Sequence, residues 1–116
     1  MFTDASRERR PVTRRYDKLV RDDIPKRIER NGDVPIVRTA SDDEEYEEYL
    51  HEKLREEVEE YEESQNPEEL ADILEVIRSI REFEGLSERE LRGLRDRKAE
   101  KRGRFAERVI LERVES

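Results

Sequence analysis

The sequence predicts a mainly α fold, an antiparallel helical bundle with minor β, and three observations predict it. Apolar residues recur at three- and four-residue intervals through the centre of the chain, the period of one helix face. The apolar runs open on residues that cap helix starts, Ser41, Asn66 and Ser87, each with a glutamate three positions on. Gly32, Gly85 and Gly103 stand where helices would stop.

Residues 1–15 hold Arg7, Arg9, Arg10, Arg14 and Arg15 and almost nothing apolar. They show no period and read as a mobile basic arm, ahead of a single domain over residues 16–116. From Tyr16, the segment Lys18-Leu19-Val20-Arg21-Asp22-Asp23-Ile24-Pro25 leads into a short helix through Ile28, capped by Asp22 or Asp23 and stopped by Asn31-Gly32. Pro35 to Ala40 is short and β-branched and reads as a strand or extended link.

Ser41 with Glu44 makes a capping box for a long helix to about Glu63, with Tyr46, Leu50, Leu54, Val58 and Tyr61 on one stripe and Glu57 at its edge. Ser64-Gln65-Asn66-Pro67 is a tight turn, since Asn66 suits an N-cap, Pro67 a first helical residue, and Glu69 the capping-box position. The next helix, to about Phe83, has Leu70, Ile73, Leu74, Ile77 and Ile80 as its seam, widened by Val76. Ser87 with Glu90 opens a last helix to about Lys101, and residues 107–113 alternate weakly as a terminal strand that would pair with residues 35–40.

Composition narrows the function. The chain has 116 residues, 50% of them charged, 32% hydrophobic, and a net charge of −8. A core this modest favours helix pairing between subunits, so a homo-oligomer, dimer or tetramer, is expected. Arg outnumbers Lys by 20 to 5 on a Glu-rich background, a balance that resembles proteins of salt-loving organisms. With no Cys and no long apolar run, neither disulfide nor thiolate chemistry nor a membrane span is expected, and the chain reads as soluble and cytoplasmic.

Charge is unevenly placed. Residues 1–30 carry 10 basic and 6 acidic groups, residues 41–75 carry 2 and 17, and residues 76–113 carry 12 and 8. The deep acidic block argues against a nucleic-acid binder. A metal-bound polyphosphate, by contrast, needs carboxylates for the ion and cations for the phosphates.

Within the block, Glu57 with Glu60 and Glu69 with Asp72 form two i,i+3 acidic pairs, each about 5–6 Å apart on one helix face. At about 1.5 Å per residue, Glu60 lies roughly 6 Å and Glu57 roughly 10 Å before the end of their helix. Glu69 and Asp72 lie roughly 4 and 8 Å into the return helix, so the four meet at one height. Four convergent carboxylates repel unless protonated or neutralised, and an all-oxygen set suits Mg²⁺ or Mn²⁺. A chain this rich in glutamate also produces such spacings by chance; Glu59, Glu62 and Glu63 read as plain surface, and His51 as a surface or interface residue.

The pattern Glu56, Glu57, Glu60 followed by Glu69 and Asp72 resembles the hallmark of the MazG-like all-α nucleoside triphosphate pyrophosphohydrolases, relatives of phosphoribosyl-ATP pyrophosphatases and dimeric dUTPases. Residues 16–25 resemble the opening of one subgroup, and Lys98-Ala99-Glu100-Lys101-Arg102-Gly103-Arg104-Phe105 its closing segment. The interval between the acidic motifs is shorter than usual for the family, which bears on base choice.

The resemblance implies a bundle of that family's type, a Mg²⁺ site (Mn²⁺ as substitute) on Glu57, Glu60, Glu69 and Asp72, and hydrolysis of a nucleoside triphosphate to monophosphate and pyrophosphate as nucleotide-pool house-cleaning. Glu56 is the candidate catalytic base or ligand of a second ion. Four of the five lysines fall in or beside the basic segments, and Lys18, Arg21, Lys98, Lys101 and Arg102 are the candidate phosphate contacts. Phosphoribosyl-ATP as substrate, and a non-catalytic helical interaction module, are the alternatives.

Overall fold

The computed structural model describes residues 13–116, and the arm expected over residues 1–15 lies almost wholly outside them. The chain divides into two compact units, Met1–Thr39 and Ala40–Ser116. Among the described residues all regular structure is helical.

In the first unit, helix α1 (Ile24–Arg30) has Pro25 in its first turn. Asp23 occupies the N-cap, but its side chain makes no capping bond, so neither aspartate caps in the way expected. The backbone does the work, with the Ile24 N–H donating to the Arg21 carbonyl at 3.0 Å. At the other end Gly32, at φ +90°, lets the Asp33 N–H return to the Ile28 carbonyl at 3.2 Å.

The second unit contains α2 (Asp43–Ser64), α3 (Pro67–Phe83) and α4 (Glu88–Arg102). The cap of α2 lies one residue later than the Ser41 and Glu44 spacing suggests. Asp42 Oδ1 accepts from the Glu45 N–H at 2.8 Å, and Glu45 Oε1 accepts from the Ser41 N–H at 2.9 Å. A full negative charge at the N-terminal end of the helix dipole favours Asp42 over the hydroxyl of Ser41.

Between α2 and α3, Gln65 takes a left-handed conformation and donates its N–H to the Tyr61 carbonyl at 2.7 Å. Asn66 Oδ1 then caps α3 through the Glu68 N–H at 3.0 Å. Glu69 does not complete a capping box there, and its carboxyl is turned to other use. The hairpin is closed at its far end by Tyr46 and Phe83, whose rings meet edge-on at 5.6 Å.

Leu50 and Val76 are the buried apolar residues of this seam. Of the expected seam of α3, Val76 is buried and Ile73 and Ile80 are half-buried. Leu70 and Leu74 remain 44% and 67% exposed, so the apolar girdle of α3 is wider than a single neighbouring helix can cover.

After α3, Gly85 at φ +76° turns the chain, and Arg81 Nη1 donates to the Leu86 carbonyl at 2.7 Å. The capping box of α4 forms as expected: Ser87 Oγ accepts from the Glu90 N–H and Glu90 Oε1 from the Ser87 N–H, both at 3.0 Å. Hydrogen bonding to the Glu90 carboxyl from the Ser87 backbone N–H first, and from the Ser87 side chain second, holds that carboxyl below its usual range. Ser87→Ala is expected to cost about 1 kcal/mol and lower the melting temperature by about 4–8 °C. An unchanged thermal transition by circular dichroism would show that α4 melts apart from the hairpin.

The expected strands at 35–40 and 107–113 are not present. Neither segment has a ladder partner among the described residues. Arg108 adopts φ +60° with its N–H turned back to the Phe105 carbonyl, which interrupts the extended backbone a strand needs. Val109, Ile110 and Leu111 are accordingly exposed. Among the described residues no helix is long and apolar enough to cross a membrane.

Candidate metal centre

The seam between α2 and α3 changes chemistry along its length. At the Tyr46 and Phe83 end it is apolar. Toward the Gln65-Asn66 turn the same helix faces present Glu57 and Glu60 from α2, and Glu69 and Asp72 from α3. Glu57 follows Leu50 by seven residues, two helical turns along one face, and so enters the seam. It is 6% exposed, whereas Val58 is 39% exposed: the charged residue expected at the edge of the stripe lies in its centre.

Two carboxylate groupings result. Glu56, Glu57 and Glu60 bring one oxygen each within 4.8 Å of one another, and so do Glu57, Glu69 and Asp72. Glu57 belongs to both. The structure therefore brings together all four expected ligands and Glu56, with Glu57 as the hinge between an α2 set and a cross-helix set.

The electrostatics follow from the crowding. The Glu60 carboxyl is pushed from the ordinary 4.5 up to about 7, by burial first, then by a hydrogen bond with Glu57 and the charges of Glu57, Glu56 and Glu69. The Glu69 carboxyl is also raised, by loss of hydration first, then by a hydrogen bond with Asp72 and the charges of Asp72, Glu57 and Glu68. With the cluster fully ionised, Glu57 Oε2 is buried and has no hydrogen-bond donor among the described residues. A buried carboxylate oxygen in that condition is costly. A proton shared with Glu60 or a hard cation would meet the need, and the latter is what an all-oxygen donor set accepts.

One residue here was not anticipated from the sequence. The Lys53 ammonium lies 3.2 Å from Glu57 Oε1 and 3.4 Å from Glu56 Oε2. The signal was available: Lys53 precedes Glu56 by three and Glu57 by four residues, and it is the one lysine inside the acidic block.

The candidate phosphate contacts are distributed differently. Lys18 and Arg21 belong to the first unit, Lys18 with its ammonium 5.6 Å from the centre of the Tyr16 ring. Lys98, Lys101 and Arg102 are exposed on the last two turns of α4, and among the described residues no ion pair joins them to the acidic cluster. Compared with protein-family models, with curated proteins and with solved structures, the chain matches none.

Proposed function

We propose that the chain is a Mg²⁺-dependent nucleoside triphosphate pyrophosphohydrolase, acting between the α and β phosphates to release a monophosphate and pyrophosphate. The observation that carries this reading is the buried Glu57, whose Oε2 lacks a donor at the junction of two carboxylate sets. A merely solvated acidic helix face would leave each carboxylate to water. The order of the opening, acidic and closing motifs, similar to the MazG-like group, supplies the nucleotide.

In this reading Glu57, Glu60, Glu69 and Asp72 hold the ion, which when bound neutralises phosphate charge and lowers the barrier to attack by water. Glu56 stands beside the ligands as the base that takes the proton of the attacking water. Lys98, Lys101 and Arg102, in the same unit as the carboxylates, bind phosphate oxygens, the lysines as flexible point charges and Arg102 through its guanidinium fork. The uncovered Leu70 and Leu74 favour a second copy of the chain against α3, giving a homo-oligomer in which more of the apolar surface is buried.

The test is pyrophosphate release from a panel of nucleoside triphosphates and phosphoribosyl-ATP, with Mg²⁺ or Mn²⁺ at high salt, on protein whose mass in solution is measured by light scattering. Release is expected with at least one triphosphate and to stop with EDTA. No release from any substrate would sink the enzymatic reading, and a monomeric mass the oligomeric one.

A further inference from the structure

Lys53 stands apart from the other lysines. It sits in the acidic seam with its side chain only 15% exposed, paired with both Glu56 and Glu57. Glu57 is also the carboxylate that the two ligand groupings share. Its two oxygens are thus divided: Oε1 is bonded to the chain's own cation, and Oε2 is left for another.

We propose that Lys53 is an internal counter-ion that holds down the affinity of the centre for a free divalent cation. The inference rests on the metal-site reading above. An ammonium and a divalent ion drawing on one carboxylate repel each other strongly at an effective dielectric of about 20. The flexible lysine stem can relieve part of that by withdrawing, which forfeits two ion pairs in a poorly hydrated place. Either way the ion meets an opposing cost at its central ligand. A polyphosphate arriving with the ion would offset that cost with its own negative charge, so the centre would fill best when ion and substrate come together.

The experiment is titration of the full chain with Mn²⁺ alone, the free ion followed by electron paramagnetic resonance, for the native protein, Lys53→Met and Lys53→Arg. Methionine keeps the unbranched stem without the charge, and arginine keeps the charge. Lys53→Met is expected to bind Mn²⁺ at least about tenfold more tightly, with Lys53→Arg close to native. Melting temperatures give the second readout: in EDTA, Lys53→Met should melt several degrees below native, and saturating Mn²⁺ should erase or reverse the gap. Equal or weaker Mn²⁺ binding by Lys53→Met would overturn the counter-ion role while leaving the metal centre standing, as would a Lys53→Arg chain that tightens to the same extent. Absence of Mn²⁺ binding in all three would overturn both.

Discussion

Glu57→Gln is expected to remove divalent-ion binding and to lower pyrophosphate release at least about a hundredfold to a thousandfold, while leaving the ion-free protein as stable as before or more so. The two halves have one cause. Glu57 is 6% exposed, it carries an oxygen without a donor, and its charge helps drive the Glu60 carboxyl upward. Its negative charge is therefore a cost to the folded chain in the absence of an ion. Glutamine keeps the shape, offers its carbonyl to Lys53, and presents an amide N–H₂ that the surrounding carboxylates can accept. Removing the charge should thus relieve Glu60 and Glu69 and raise the melting temperature in EDTA by a few degrees. Calorimetric Mn²⁺ titration and melting curves in EDTA check both halves, with Glu59→Gln on the exposed face as control. A melting temperature that falls by several degrees in EDTA would mark Glu57 as a structural residue, and retained ion binding would remove it from the centre.

The helices were readable in the sequence because local signals specify them. Pro67 to Phe83 begins and ends where Asn66-Pro67 and Gly85 suggest, and the Ser87 and Glu90 box forms as spaced. Each of these depends on bonds within a few residues. The differences arose where neighbouring residues compete for one role or where distant partners decide. Asp42 displaced Ser41 as a cap because two adjacent residues competed for the same helix end, and charge settled it. Residues 35–40 and 107–113 have the composition of strands, but a strand needs a ladder that composition does not supply.

The acidic quartet was legible for a different reason. Helix rise and one short turn bring the two acidic pairs to one height whatever surrounds them, and Glu57 is the residue of α2 that meets both Glu69 and Asp72. Which of the four would be buried was not legible, because an i,i+3 spacing places two side chains on a face without saying where the neighbouring helix crosses it. Only with α3 in place does Glu57 become the central residue, and the local i,i+4 pairing with Lys53, one turn earlier on α2, is then drawn into the seam with it.

That centre should also invert the usual pH dependence of stability. Glu60 titrates at about 7 in the folded chain against an ordinary 4.5, so between these values the folded state holds a proton that the unfolded state has lost. Stability from this group is complete below about pH 4.5 and is lost as pH rises through 7. Glu69, raised as well, acts in the same direction. Because Glu60 remains partly open to water, screening reduces its share to about 1–2 kcal/mol. Glu90, lowered by its capping bonds, acts oppositely, and its contribution disappears only as pH falls through the acid range. The ion-free protein should therefore be most stable in mildly acidic solution and weaker at pH 8. Saturating Mg²⁺ should reverse the slope, because protons then compete with the ion for the same oxygens. Urea unfolding at pH 5.5 and pH 8, with EDTA and with Mg²⁺, reads out all four conditions. Ion-free stability that rises between those two pH values would mean that the carboxylates of the seam do not share charge as their proximity requires.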